Sequence, residues 1–454
     1  MLESHCPKIS DLAQDTFTPT AYIVDGMAMV QALNEDHFKT FNDLAEIVLK
    51  RLIRILRSPK LNAKIVTVVF DRYDSKNSIK ADERQRRGSA IPQNMSTHLI
   101  IGSRTVPHYR QYLKVGANKA DLVLFVSNYV LENAKDRLPD GTAIVMAGGF
   151  RNAETVIRVT GAGEEEMDEL FSNQEEADTR MVLHAVNMSS QFPRTIIRSD
   201  DTDVLVILLH YANLGQLSKE VFMHAGHAGK FITRERFVPV HEIASKLGNE
   251  VCQSILATHA LTGCDSTSSL FGIGKKSAFQ TLSKKVTSGN VFAGLKNVDD
   301  LECWVEAAKE LVLAMYGKRA KACKTLDELR YLLATTSDKP ATQLPPTEDA
   351  FWQHALRAYL QTLIWTQSHI AKPNIPEPDG HGWFRDSTGL HQVLYTKESA
   401  PAEVRDITHL YCSDSKCLEG AKCVCVSAGL FCIDICECVS CPNVPHDQEA
   451  AAEM

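Results

Sequence analysis

The chain has 454 residues, with Lys+Arg 49 against Asp+Glu 56 and so a formal net charge of −7. At about 150 residues per domain, that length allows two or three domains and a sizeable core. Hydrophobic residues at 44% and charged residues at 23% are ordinary for a globular protein. No apolar run approaches the roughly 18 residues of a membrane span, and Met1 to Asp15 lack the pattern of a signal peptide. Membrane, secreted and largely disordered chains are therefore not expected, and the net charge excludes a uniformly basic nucleic-acid binder.

In chain order, Tyr22-Ile23-Val24 is a short β-branched apolar run that ends on Asp25. In Phe41 to Leu56, Leu44, Ile47, Val48, Leu52, Ile55 and Leu56 recur at helical spacing, with Lys50, Arg51 and Arg54 largely opposite. Lys64 to Phe70 is a second continuous apolar strand, running into Asp71. Strand, helix, strand makes a right-handed crossover, and unbroken apolarity suits strands covered on both faces of a mainly parallel sheet. The expected class is α/β. Lys76 to Arg87 then carries Lys76, Lys80, Arg84, Arg86 and Arg87 against Asp82 and Glu83. Lys80 and Arg84 stand one helical turn apart; a solvated charged helix face accounts equally well for the run.

Further on, Thr142 to Met146 and Thr155 to Val159 predict a hairpin around Gly148-Gly149. Glu175-Glu176-Ala177-Asp178 precedes a helix marked by Met181, Val182 and Ala185. Glu176 and Asp178 would diverge by about 200° on a continuous helix, so they share a metal only at the helix entry. Thr195 to Ile197 reads as a strand leading to Ser199-Asp200-Asp201-Thr202-Asp203, and Val204 to Leu209 as another strand. Gly263-Cys264-Asp265 is followed by Gly272-Ile273-Gly274-Lys275-Lys276, a turn that would offer backbone N–H groups to a phosphate at a helix start. Leu301 to Tyr316 and Phe351 to Ile370 read as helices within a region, 291–405, whose chemistry the residues do not name.

Acids ending separate parallel strands converge on the crevice outside the carboxyl ends. Their repulsion is costly unless cations lie between them, and two divalent ions about 3.5 to 4 Å apart across a phosphodiester need such oxygen ligands. Each Asp alone is explained as well by a helix cap or turn.

The thirteen cysteines are uneven: Cys6, Cys252, Cys264, Cys303 and Cys323 are scattered, whereas eight fall between Cys412 and Cys441. The scattered singles point to a reducing compartment. Cys412, Cys417, Cys423, Cys425, Cys432, Cys436, Cys438 and Cys441 are surrounded by few aliphatic residues. They suit two tetrahedral Zn2+ ions, or three with bridging thiolates.

Five ordered segments resemble the flap endonuclease/XPG group of structure-specific 5′ nucleases, which are built on a PIN-like domain. They are Val24-Asp25-Gly26, Val69-Phe70-Asp71, Glu176-Ala177-Asp178, Asp201-Thr202-Asp203 and Gly263-Cys264-Asp265 with Gly272 to Lys276. The resemblance covers about residues 20 to 290 and implies a two-metal site, holding Mg2+ or Mn2+, on Asp25, Asp71, Glu176, Asp178, Asp201, Asp203 and Asp265. It implies that Lys80 and Arg84 meet the scissile phosphate. It also implies that Gly272, Gly274, Lys275 and Lys276 grip a duplex backbone in a helix-two-turn-helix, with a monovalent cation near Gly272 to Gly274. Asp178 stands where the family usually has Glu. The opening Met1-Leu2-Glu3-Ser4-His5 and the hairpin after Asp71 depart from the family, so preference for flaps or bubbles is not implied. From Cys423 onward the spacing resembles the tesmin/TSO1-like CXC zinc module of chromatin proteins.

The expected organisation is a nuclease domain over 1–290, a mostly helical region over 291–405, a zinc module over 406–445 and a floppy tail over 446–454. The expected function is metal-dependent hydrolysis of DNA, with RNA also an option, in the nucleus or the cytoplasm, and no membrane partner. The rival is a catalytically inactive adaptor that meets nucleic acid, chromatin or a protein partner through the cysteine-rich tail.

Overall fold

The computed structural model describes residues 17–72, 79, 100–226, 235–287, 293–296, 298–337, 343–387 and 389–397. Lys80, Arg84 and all eight clustered cysteines lie outside the described residues, so the expectations placed on them are not addressed by the structure. The chain divides into a unit ending at Leu394 and a second unit from Tyr395, of which three residues are described.

The long apolar runs become the centre of an eight-stranded sheet. Strands β1 (Thr20–Asp25), β2 (Ala63–Val69), β3 (Ala143–Ala147), β4 (Val156–Thr160), β5 (Gly163–Glu166), β6 (Arg194–Arg198), β7 (Glu220–Ala225) and β8 (Arg236–Pro239) lie in the order β5-β4-β3-β2-β1-β6-β7-β8. The five central strands are parallel; β4, β5 and β8 are antiparallel to their neighbours. The expected α/β class and the hairpin after Asp71 are both present. Alternate residues of one strand enter different cores: Ala21 and Ile23 join one cluster, Tyr22 and Val24 the other. Coverage on both faces is why these strands are apolar throughout rather than alternating.

One face carries helices α1 (Gly26–Gln31), α2 (Phe41–Leu56), α3 (Tyr109–Tyr112) and α4 (Gly116–Ala134). Helix α2 starts at a reciprocal Thr40–Asp43 capping box and buries Leu44, Val48, Leu52 and Leu56, four of the positions its periodicity marks. The other face carries α5 (Ala177–Met188), α6 (Thr202–Asn213), α7 (Val240–Leu247), α8 (Asn249–Leu261) and α9 (Lys275–Thr287). Helices α10 (Leu301–Met315), α11 (Leu326–Thr336) and α12 (Glu348–Thr366) follow. Trp304 and Phe351, in α10 and α12, are fully or almost fully buried in the same cluster as Met181 and Val204. A two-stranded antiparallel ribbon, β9 (Trp383–Asp386) with β10 (Gly389–Gln392), comes last.

One expected strand is a helix. Val204 to Leu209 lies inside α6, where every residue from Val204 to Tyr211 is buried. A short unbroken apolar run is shared by buried strands and by helices covered on all sides. Here Asp201 decides, because its side chain accepts the Asp203 N–H at 2.8 Å and starts a helix.

Candidate metal and phosphodiester site

From β1 the chain moves outward through β2 and β3, then returns to place β6 on the other side of β1. The order reverses between β1 and β6, which opens a crevice at the carboxyl ends of these strands. Asp25 is the last residue of β1, Asp71 lies two residues beyond β2, and Asp201 lies three residues beyond β6. Gly26 lets α1 start directly after Asp25, because a Cβ there would sit 2.3 Å from the buried Phe70 ring.

These acids sense one another. Asp25 is raised from 3.8 to about 6, first by burial and then by the negative charges of Asp71 and Asp201, against the opposing hydrogen bond from Ala28 N–H at 2.9 Å. Asp71 is joined to the next acidic segment: its Oδ1 accepts the Ala177 N–H at 2.7 Å, while Arg72 N–H reaches the Glu175 carbonyl at 2.9 Å. Glu176, 7% exposed, is the residue before α5, and Asp178 is in its first turn. That is the helix-entry placement in which both can face the same side. Asp25 and Asp201 are also helix caps, each using Oδ1, so cap and site roles coexist on one carboxylate.

The far end of the crevice is different. Asp203 Oδ1 lies 2.7 Å from His259 Nε2 of α8. Lys275, the first residue of α9, donates from Nζ to the His259 carbonyl at 2.5 Å, and burial lowers it to about 8 despite the nearby Cys264 and Asp203. Lys275 is half-buried and tied to α8 by that bond, whereas Lys276 is exposed. Asp265 sits in the loop after α8 beside the half-buried Cys264, whose thiol is raised first by burial and least by the charge of Asp203. Gly272 has φ +72, a conformation that favours glycine. A Cβ on either Gly272 or Gly274 would meet nothing within 4 Å, so the backbone before α9 is open to a close approach.

Three cationic or imidazole groups stand outside the sequence expectations. Arg180, 1% exposed, donates to the carbonyls of Phe70 at 2.9 Å and Ala153 at 3.1 Å, bracing the backbone just before Asp71. Arg198 donates to the His224 carbonyl at 2.9 Å and to that of Gly226. His259 is the third, and no motif spacing marks it, since its partner is 56 residues away.

The donor chemistry suits a divalent cation, being hard carboxylate oxygens whose repulsion already perturbs Asp25. Among the described residues, however, no three His, Cys, Asp or Glu side chains form a ready-made cage for one ion. Mg2+ keeps several waters and is commonly held by one or two carboxylates together with substrate phosphate, so an open arrangement fits it better than a closed one.

The chain matches no protein-family model and no curated protein. Among solved structures it is similar to the catalytic core of Rad2 in complex with DNA substrate, at 13% identity and a TM-score of 0.40, covering 84% of this chain and 90% of that one. It is also similar to bacteriophage T5 D15 flap endonuclease in a pseudo-enzyme-product complex with DNA and metal ions, at 13% identity and a TM-score of 0.34, covering 66% of this chain and 94% of that one.

Proposed function

We propose that the protein is a divalent-metal-dependent nuclease that hydrolyses phosphodiester bonds of DNA. The observation that carries this reading is that Asp25, Asp71 and Asp201 stand at the strand-order reversal within range of one another's charge, with Asp25 made a weaker acid by burial and by the other two. Asp25, Asp71 and Asp201 would hold Mg2+ or Mn2+ directly or through water, with Glu176 and Asp178 at the α5 entry and Asp203 and Asp265 at the far end. Bound there as a pair, the ions would supply an activated water and stabilise the leaving oxygen. His259 orients the Asp203 carboxylate, as a hydrogen-bonded partner behind a metal ligand does. Lys80 and Arg84 offset charge on the scissile phosphate, and the Gly272–Gly274 backbone with Lys276 holds the phosphate chain. The eight clustered cysteines would hold two or three Zn2+ ions, and the tail would meet DNA or a chromatin protein in the nucleus.

The test is cleavage of end-labelled single-stranded, duplex and 5′-flap DNA, with matched RNA, by the full chain in Mn2+. Asp201→Ala runs beside it. Metal-dependent cutting that disappears in Asp201→Ala supports the enzyme and names its substrate. Absence of cutting by folded protein overturns it in favour of a non-catalytic adaptor.

A further inference from the structure

Beside the acids, helices α6, α8 and α9 line a half-open cavity of about 270 Å3. It is lined by the apolar Leu205, Val206, Ile255 and Phe279 and by polar groups, among them Thr258, Thr262 and Lys275. Thr202, which lies between Asp201 and Asp203, and His259, which bonds Asp203, both line it. The opening therefore adjoins the candidate hydrolytic centre, and Lys276 at the start of α9 forms part of the same wall.

The volume lies just below the roughly 300 to 1,000 Å3 common for small-molecule sites, so the occupant is one small ring system rather than a dinucleotide. Apolar lining that includes the Phe279 ring suits an aromatic face. The polar lining supplies both hydrogen-bonding senses. Thr258 and Thr262 spend their hydroxyl protons on the carbonyls of Ser254 and of Thr258 or His259, at 2.9 to 3.1 Å, leaving oxygen lone pairs as acceptors. An ammonium has three donors, of which the bond from Lys275 to the His259 carbonyl uses one. An edge bearing N–H donors and ring-nitrogen or carbonyl acceptors matches that lining, which is the pattern of a nucleobase.

We propose that this cavity receives one unstacked nucleobase of the nucleic-acid substrate, with its phosphate against Lys276 and the open backbone at Gly274. This rests on the nuclease reading and deepens it. Taking a single base out of the stack costs a few kcal/mol, least where the strand is already unpaired. The pocket accordingly favours substrates with unpaired nucleotides next to the cut.

The test begins without catalysis. Full-length protein in EDTA is melted with deoxynucleoside monophosphates, with nucleosides and with inorganic phosphate alone. A saturable rise in Tm with nucleotides, a smaller one with nucleosides and none with phosphate is expected. Ile255→Phe, which fills the cavity from its wall, should abolish the rise. Phe279→Leu, which removes the ring at nearly constant volume, should weaken it and serves if Ile255→Phe does not fold. Equal rises with phosphate and nucleotide, or an unchanged rise in the folded variants, overturn the proposal. A scan of single abasic sites across a cleaved substrate supplies the second arm: one position should raise KM with kcat little changed, and a flat scan overturns it. Nucleotide binding without cleavage would sink the nuclease reading alone, whereas cleavage with a flat scan and no nucleotide binding would sink the pocket alone.

Discussion

The two ends of the crevice hold acids under opposite electrostatic regimes. At the β1–β2 end, Asp25 is half-buried and pushed up to about 6, with Asp71 and Asp201 as charged neighbours. At the α6–α8–α9 end, Asp203 is 2.7 Å from an imidazole, with the half-buried Lys275 close by. At the first end the acids raise one another and so favour a cation from solution, with Arg180 near enough to Asp71 for the two charges to interact. The second already contains its cation, so its acid is better suited to orienting what binds than to drawing it in.

That contrast is broken most severely by Asp201→Ala. Cleavage in Mn2+ should fall by at least on the order of 10²-fold, the scale of removing one preorganised electrostatic group. Retention of most of the activity would show that the β1–β2 end does not drive the chemistry. His259→Ala is the matching change at the other end. It should raise the Mn2+ concentration needed for half-maximal rate by about 10- to 100-fold, with His259→Gln recovering part of it. An unchanged metal requirement would make His259 a packing residue.

Asp25 sharpens the comparison through stability. Its folded-state value is raised above 3.8, so its contribution is fully present below about pH 4 and is lost as pH rises through about 6. With about 1.4 kcal/mol per unit, the loss is on the order of 2 to 3 kcal/mol. In EDTA, Asp25→Asn should therefore exceed wild type in urea stability at pH 8 by roughly that amount and match it near pH 4. Equal stabilities at pH 8 would mean that the carboxylates do not strain the metal-free fold.

The smallest effect is expected at Lys276→Ala. Without this ammonium on the phosphate chain, the slope of log affinity against log salt should fall by about 1, across all sequences alike. A sequence-dependent weakening would instead assign Lys276 to base recognition.

Much of this was legible from local pattern. Strands β1 and β2, helix α2 and the hairpin after Asp71 follow from apolar runs, caps and paired glycines, which act over a few residues. The strand-end positions of Asp25, Asp71 and Asp201 were legible for the same reason, because an acid directly after a buried run must sit where the sheet stops. Val204 to Leu209 departs from the strand expectation because unbroken apolarity records burial on all sides and not backbone shape.

What the chain alone determined, then, is its α/β class and the delivery of carboxylates to strand ends, since both depend on neighbours in sequence. Only the tertiary structure decided that strand order reverses beside β1, bringing the charges of Asp71 and Asp201 to bear on Asp25. It also decided that His259 meets Asp203 and that the Lys275 ammonium turns to the His259 carbonyl. Trp304 and Phe351 likewise share a core with α5 and α6. Those pairings join residues far apart in the chain, and no local propensity encodes a distance between two elements that only packing brings together.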